Sequence, residues 1–131
     1  MAQVVLQSCG IIDRPANYGT GEPEPLAQLN RIVQTTVARV FDVDLTSLQA
    51  ESRGQADVAQ ARQVAMYLLH CAFSVSLTDI GHIFSRDRTT VRHACRIIED
   101  RRDDATFDYI LSNLEEIVRH NAKISTRQRA S

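Results

Sequence analysis

The sequence predicts an all-α domain of six helices that contains a helix-turn-helix. From Leu26 onward, apolar residues recur every three to four positions, which is the period of an amphipathic helix. No segment alternates apolar and polar residues between hairpin turns, as a β-strand would. Capping residues and short polar loops divide the helical pattern into separate elements. A chain of 131 residues has room for one modest core.

The first three predicted helices are separated by polar positions that favour a helix start. Asp44 is expected to cap a short second helix that buries Leu45 and Leu48, and Asp57 can cap the third helix. The apolar stripe of the first helix consists of Leu29, Ile32, Val33, Thr36, Val37 and Val40. The stripe of the third helix consists of Val64, Ala65, Leu68, Leu69 and Ala72.

The last three predicted helices begin with clearer caps. Ser76 and Asp79 form a variant capping box, and Asp87 is a good N-cap for the following helix. A tight corner at Ile83-Phe84-Ser85 joins the two helices. The short fourth helix is expected to bury Leu77, Ile80, Ile83 and Phe84. The fifth buries Val91, Ala94, Cys95 and Ile98, and the last presents Phe107, Ile110, Leu111, Leu114, Ile117 and Val118.

Composition divides the chain into three segments. Residues 1–25 hold all three prolines and three of the five glycines, which predicts a flexible N-terminal arm. We expect the helical domain over residues 26–119 and a basic tail over residues 120–131. The arm lacks the charge and apolar pattern of a secretory signal, and no apolar run reaches membrane-spanning length. The expected location is therefore the cytoplasm, in association with the nucleoid and not with a membrane.

The formal net charge is −1, but the charges are unevenly distributed. Residues 59–102 carry seven arginines and four acidic residues, and residues 119–131 add four basic residues and no acidic one. Residues 1–58 and 103–118 hold the compensating acidic excess. Charge runs are most often an ordinary solvated surface. Within a predicted helix-turn-helix, however, a local basic excess favours nucleic-acid binding.

The helix after Asp87 has side chains suited to a DNA major groove. Arg88 and Thr89 fall in its first turn, where arginine can pair with guanine and a threonine methyl can contact thymine. The side chains suited to phosphate contacts on this helix are Arg92, His93 and Arg96. Arg62 and Gln63 near the start of the third helix are further candidate contacts to the phosphate backbone.

Each of these residues also has a simpler explanation. Asp87 is a helix cap whatever else it does, and His93 can be an ordinary surface histidine. Arg96 can pair with Asp100 across one helical turn. Their combination on one helix behind a capped short helix makes the DNA-binding hypothesis the stronger one.

Three motifs along the chain resemble one known family. In order, they are Arg62-Gln63-Val64-Ala65-Met66-Tyr67-Leu68, Ser76-Leu77-x-x-Ile80-Gly81-x-x-Phe84 and Arg86-Asp87-x-Thr89-Thr90-Val91-x-His93-Ala94. Together with the trailing Ile97-Ile98-Glu99, they resemble the C-terminal DNA-binding domain of the chromosomal replication initiator DnaA. The resemblance covers roughly residues 26–119, and its third motif is highly specific.

The resemblance implies a six-helix domain that binds short A·T-rich boxes in double-stranded DNA. It implies major-groove contacts from the matching residues Arg86, Asp87, Thr89, Thr90 and His93. It also implies that Gln63 and the residues around Leu77 and Thr78 lie near the phosphate backbone.

Two departures from the family pattern predict a changed base preference. The family usually has histidine where this chain has Arg88. The family's minor-groove arginine, in the loop before the third helix, aligns with Gly54 and has Arg53 as its neighbour. No G-x-x-x-x-G-K-[ST] loop occurs in the sequence, so the initiator's ATPase region, and nucleotide binding with it, is not expected here.

The expected function is that of a stand-alone, sequence-selective DNA-binding protein. It would regulate transcription or modulate replication initiation by occupying DnaA-box-like sites. The alternative is a protein-interaction module that keeps the fold without specific DNA binding and docks a partner on its acidic last helix. The sequence leaves the oligomeric state open.

An enzyme is the least expected class. The histidines lie on different predicted elements without a catalytic or metal-binding partner at suitable spacing, and the cysteines show no C-x-x-C motif. No catalytic residue, metal or cofactor is therefore expected.

Overall fold

Six α-helices make up the described part of the chain. The computed structural model describes residues 23–49 and 56–130. The helices are α1 (Pro23–Phe41), α2 (Leu45–Gln49), α3 (Ala56–Phe73), α4 (Leu77–Phe84), α5 (Arg88–Arg101) and α6 (Ala105–Ala130). No strand occurs within these two ranges, and the predicted all-α fold is confirmed.

Helix α3 forms the centre of the core. It contacts each of the other five helices in the described ranges. The four consecutive residues Ala65, Met66, Tyr67 and Leu68 on this helix are at most 2% exposed, although they point in different directions around its axis. A helix that is apolar on nearly all sides is typical of the middle of a domain. The other helices therefore take their positions from α3.

Helix α5 packs against α3 and α4 through one narrow stripe. The four residues predicted for that stripe are all buried: Val91, Ala94, Cys95 and Ile98. Burial of an aliphatic side chain of this size contributes roughly 1.5–3 kcal/mol. The stripe fixes the rotation of α5 about its axis, and it leaves the opposite face toward solvent.

Helices α1 and α6 extend beyond the predicted boundaries of the domain. Helix α1 begins at Pro23, inside the predicted arm, because proline fits the first helical turn where its missing N–H costs no hydrogen bond. Helix α6 continues to Ala130 and so includes most of the predicted basic tail. The rest of the predicted arm, residues 1–22, lies outside the described residues.

Four apolar residues on the predicted stripes are exposed: Val40, Leu45, Ile110 and Ile117. Leu45 is 44% exposed, because the five-residue helix α2 buries only Leu48 beneath it. Val40 is 48% exposed and Ile117 is 43% exposed. These two lie at the edges of their stripes and line a groove between α1 and α6. Burial predicted from helical periodicity is therefore wrong for Leu45 and fails at these stripe edges.

Candidate nucleic-acid interface

A tight left-handed turn connects α4 to α5. Ser85 has φ 56° and ψ 47°, the left-handed conformation in which many helices end. Its backbone N–H and that of Arg86 both donate to the carbonyl of Gly81, the latter at 2.8 Å. A Cβ atom on Gly81 would lie 2.5 Å from the carbonyl oxygen of Arg86. Glycine is therefore required for this close approach of α4 to the start of α5.

Of the four N-caps predicted from the sequence, those at Ser76 and Asp87 are confirmed. The prediction for Asp57 is wrong, because α3 already begins at Ala56 and Asp57 lies within its first turn. The Ser76 hydroxyl accepts a hydrogen bond from the Asp79 backbone N–H at 3.0 Å. The Asp87 carboxylate accepts one from the Thr90 backbone N–H at 2.8 Å. Two hydrogen bonds from Thr90, first that of its backbone N–H and then that of its side chain, hold the pKa of Asp87 below its ordinary value. Asp87 thus stays charged and fixes the first turn of α5.

The solvent-facing side of α5 carries the residues predicted to contact DNA. The exposed residues are Arg88, Thr89, Thr90, Arg92, His93 and Arg96. Arg88, Arg92 and Arg96 succeed one another at helical-turn spacing, so they form one strip about 12 Å long. Within the described residues, Arg96 makes no ion pair with Asp100. The exposed guanidinium groups of Arg92 and Arg96 are therefore available to an anionic partner.

The buried side of α5 has a structural role. Burial first, and the Glu99 carboxylate second, raise the pKa of the Cys95 thiol to about 12. A buried thiol with such a pKa is an inert core group and not a nucleophile. Among the described residues, no cluster of histidine, cysteine, aspartate or glutamate could hold a metal ion.

The remaining predicted contact residues differ in accessibility. Thr78 is exposed in the first turn of α4, and Gln63 is half-buried on α3. The Leu77 side chain is buried in the core, so only its backbone could approach DNA. The half-buried Arg86 folds back over the turn and donates to the carbonyls of Phe84 and Ser85 at 3.0 and 3.4 Å.

Arg62 is used inside the protein, although the sequence suggested a contact to the phosphate backbone. Its side chain is 7% exposed, and its Nε and Nη2 atoms donate to the carbonyls of Leu48 and Ser47 at 2.8 and 3.2 Å. These carbonyls belong to the short helix α2, whose last residues lack helical partners. Burial, and next the charge of Arg86, lower the pKa of Arg62.

A buried polar network at the other end of α5 was not predicted from the sequence. Arg102 Nε contacts Asp108 Oδ1 at 2.6 Å, and Nη1 contacts Glu115 Oε2 at 3.2 Å. Its Nη1 also donates to Tyr67 Oη at 3.1 Å, and Tyr67 Oη donates to Glu99 Oε1 at 2.7 Å. The network ties the end of α5 to α3 and α6.

The charges in this network stabilise one another. Burial opposes the charge of Arg102, but hydrogen bonds to Asp108 and Tyr67 outweigh it and raise the pKa of Arg102. Burial and the hydrogen bond to Glu99 raise the pKa of Tyr67. Arg102 directly follows the exposed Arg101, so the sequence contained no local signal that separated the two.

Part of the predicted interface lies outside the described residues. Gly54, which aligns with the minor-groove position of the family, and its neighbour Arg53 both fall there. Within the described residues, no helix is long and apolar enough to cross a bilayer.

The fold and this surface define a helix-turn-helix domain. Residues 31–98 match the family described as the bacterial DnaA protein helix-turn-helix. The chain therefore belongs to that family.

Comparison with individual proteins gives the same result. The chain is 41% identical over 81 residues to the chromosomal replication initiator protein DnaA of Laribacter hongkongensis, which covers 59% of this chain. It is 38% identical over 89 residues to the DnaA of Burkholderia multivorans, which covers 66% of this chain. It spans 17% of the length of each of these relatives.

The fold is also similar to a solved structure. A crystal structure of a DNA replication initiation factor superposes with a TM-score of 0.64 and 32% sequence identity. The matched region covers 72% of this chain and 29% of the solved chain.

Proposed function

We propose that this protein binds double-stranded DNA sequence-selectively through the exposed side of α5. The observation that carries the proposal is the strip of Arg88, Arg92 and Arg96 beside the exposed Thr89 and His93. A capped helix that presents arginines along one side matches the major groove in size and charge. Membership of the DnaA helix-turn-helix family supports the same function.

The two halves of this side would have different tasks. Arg88 and Thr89 in the first turn are proposed to contact base edges, with Arg86, Asp87 and Thr90 beside them. Arg92, His93 and Arg96 are proposed to contact phosphates. Thr78, Gln63 and the backbone of Leu77 would complete the phosphate contacts from α4 and α3.

The biological role follows from occupancy of such sites. A chain that binds boxes similar to those of the initiator would compete with it there or block a promoter. We therefore propose a regulator of transcription or of replication initiation, acting in the cytoplasm on the nucleoid without catalysis of its own.

The test of DNA binding is a salt titration with duplex DNA. Arg92→Ala and Arg96→Ala should each weaken binding to all duplexes and lower the slope of log K against log salt by about one, because each removes one phosphate contact. Arg39→Ala, which removes an exposed arginine on α1, should leave the slope unchanged.

Two results would contradict the proposed DNA binding. If the wild-type chain binds no duplex at low salt, the protein-interaction module without DNA binding becomes the correct function. If all three variants keep the salt slope of the wild type, Arg92 and Arg96 on α5 do not contact the phosphates.

Specificity is tested at the position that departs from the family. Arginine at position 88 prefers guanine, so the selected box should contain a guanine that the initiator's box lacks. Arg88→His should shift preference back toward the initiator's box by about 1–3 kcal/mol if a bidentate pair is exchanged. Selection of sites from a random duplex pool with both proteins measures this. Recovery of one identical box by both would show that Arg88 does not contact bases.

A further inference from the structure

A groove lies between α1 and α6, away from the proposed DNA-binding surface. It has a volume of about 480 Å³ and is lined from α1 by residues between Arg31 and Val40, and from α6 by residues between Ile117 and Ser125. Ser125 is also hydrogen-bonded to Gln28 of α1, which joins the two helices at one end of the groove. The proposed DNA contacts lie on other helices.

The apolar lining of the groove is unusually exposed for this protein. Val40, Ile117 and Ile124 are 48%, 43% and 40% exposed, and all three line it. Ile110, which is also exposed, precedes Ile117 by two helical turns, as Ile117 precedes Ile124. These three isoleucines therefore lie in one row along α6, two turns apart. Exposed apolar residues grouped beside a concave surface are typical of a protein-binding site.

The charge of the groove is entirely basic. Arg31 and Arg39 lie at its rim on α1, and no acidic residue lines it. Neither arginine has an ion-pair partner within residues 23–49 and 56–130. The polar lining otherwise consists of uncharged hydroxyl and amide groups from Thr35, Thr36, Asn121 and Ser125. A complementary partner would bring carboxylates to the rim and apolar side chains to the floor.

The shape and charge of the groove argue against a nucleic acid, a membrane or a second copy as its partner. From Arg31 to Val40, helix α1 extends about 14 Å, or roughly two and a half turns of a helix. A nucleic-acid backbone would meet the arginines but would leave the isoleucines unused. A membrane surface would not enter a concave groove. A second copy that docked through the same groove would place arginines against arginines.

We propose that this groove docks an acidic amphipathic helix of a partner protein. The partner would place apolar side chains at i, i+3 or i+4, and i+7 against Val40, Ile117 and Ile124. Glutamate or aspartate beside this stripe would pair with Arg31 and Arg39. Since α1 and α6 carry the groove while α4 and α5 carry the proposed DNA surface, the protein could hold such a partner while bound to DNA.

The test is a selection of peptides on the intact chain. Random 16-residue peptides displayed on phage should yield sequences with that apolar spacing and flanking acidic residues. Binding of a selected, fluorescein-labelled peptide is then measured by anisotropy. Val40→Glu should weaken it about tenfold or more, since an apolar contact is lost and a negative charge that repels the acidic peptide is added. Arg39→Glu should weaken it more at low salt than at high salt.

Two control variants test whether the peptide binds in the groove or elsewhere on the surface. Leu45→Glu changes an equally exposed apolar residue on α2 and should leave peptide binding unchanged. Arg92→Ala should also leave it unchanged, although it weakens DNA binding, so the two proposals can fail independently. Circular dichroism confirms that each variant is folded.

The proposal is wrong if the selection yields no peptide, basic peptides, or peptides that bind Val40→Glu as well as the wild type. It is also wrong if the chain self-associates in sedimentation equilibrium and Val40→Glu abolishes that association, because a second copy would then occupy the groove. Sedimentation with anionic phosphatidylglycerol vesicles that depends on Val40 and Arg39 would identify a lipid surface instead and would equally overturn it.

Discussion

The two ends of α5 use arginine in opposite ways. At its start and middle, Arg88, Arg92 and Arg96 are exposed along one side. Just after its end, the side chain of Arg102 is 4% exposed and bonded to acidic, hydroxyl and phenol groups on α3 and α6. Arginine thus presents charge to solvent at one end and joins α5 to the neighbouring helices at the other. Burial therefore distinguishes the arginine that stabilises the fold from those proposed to contact DNA.

This comparison implies that substitutions at the two ends should have separable effects. Changes beyond Arg101 should alter the free energy of unfolding and leave the DNA affinity of the folded protein unchanged. Changes on the exposed side should do the reverse, because exposed residues contribute little to stability. The joint between α4 and α5 should affect both properties.

The largest expected effect is on stability at the buried end. Arg102→Met should lower the free energy of unfolding by about 3 kcal/mol, because it leaves Asp108, Glu115 and Tyr67 without their shared donor. Arg101→Met is the matched control. The exposed Arg101 guanidinium lies 4.3 Å from the centroid of the Phe107 ring, so its loss should cost less than about 1 kcal/mol. Urea unfolding of both variants measures the difference, and equal losses would remove the distinction between the two ends.

A substitution at the turn between α4 and α5 should give the next largest loss of stability. Alanine usually stabilises a helix relative to glycine, but Gly81→Ala should lower the free energy of unfolding by about 2 kcal/mol because its Cβ would collide with the Arg86 carbonyl. It should also weaken DNA binding, since the start of α5 must shift. His82→Ala, at the exposed neighbour, is the control. A stabilised Gly81→Ala protein would mean that the turn adapts without cost.

The smallest effect concerns the N-cap of α5. Asp87→Ala should increase hydrogen exchange at the Thr90 amide and loosen the first turn, while Asp87→Asn should retain the cap. Because the pKa of Asp87 is lowered in the folded state, its stabilisation is complete above the ordinary aspartate pKa and is lost as pH falls through the lowered value. Exchange at Thr90 should therefore rise in acid for the wild type. A profile for the wild type that matches Asp87→Ala at neutral pH would contradict this role.

The features that could be predicted from the sequence are local ones. The caps at Ser76 and Asp87 depend on residues three positions away, and the buried stripe of α5 depends on helical periodicity. The family motif lies in the same segment. Each of these signals is contained within a few turns of chain, so the sequence is sufficient to identify it.

The features that were missed depend on partners far along the chain. Arg62 bonds to carbonyls of α2, and Arg102 bonds to Tyr67 on α3, so neither environment can be derived from neighbouring residues. The exposure of Leu45 follows from how α2 meets the core. Tertiary packing decides these cases, and it also creates the α1–α6 groove.

DNA contact by the exposed side of α5 is tested most directly by an amide chemical-shift titration. The chain is titrated with a duplex recovered by site selection. We predict the largest shifts from Arg86 to Arg96 and around Thr78. Smaller shifts are expected around Arg102, Ser112 and Glu115, because these residues lie at the other end of α5 from the proposed base contacts. If the shifts are concentrated on α6 or on the α1–α6 groove and the exposed side of α5 is unchanged, α5 is not the DNA-binding surface.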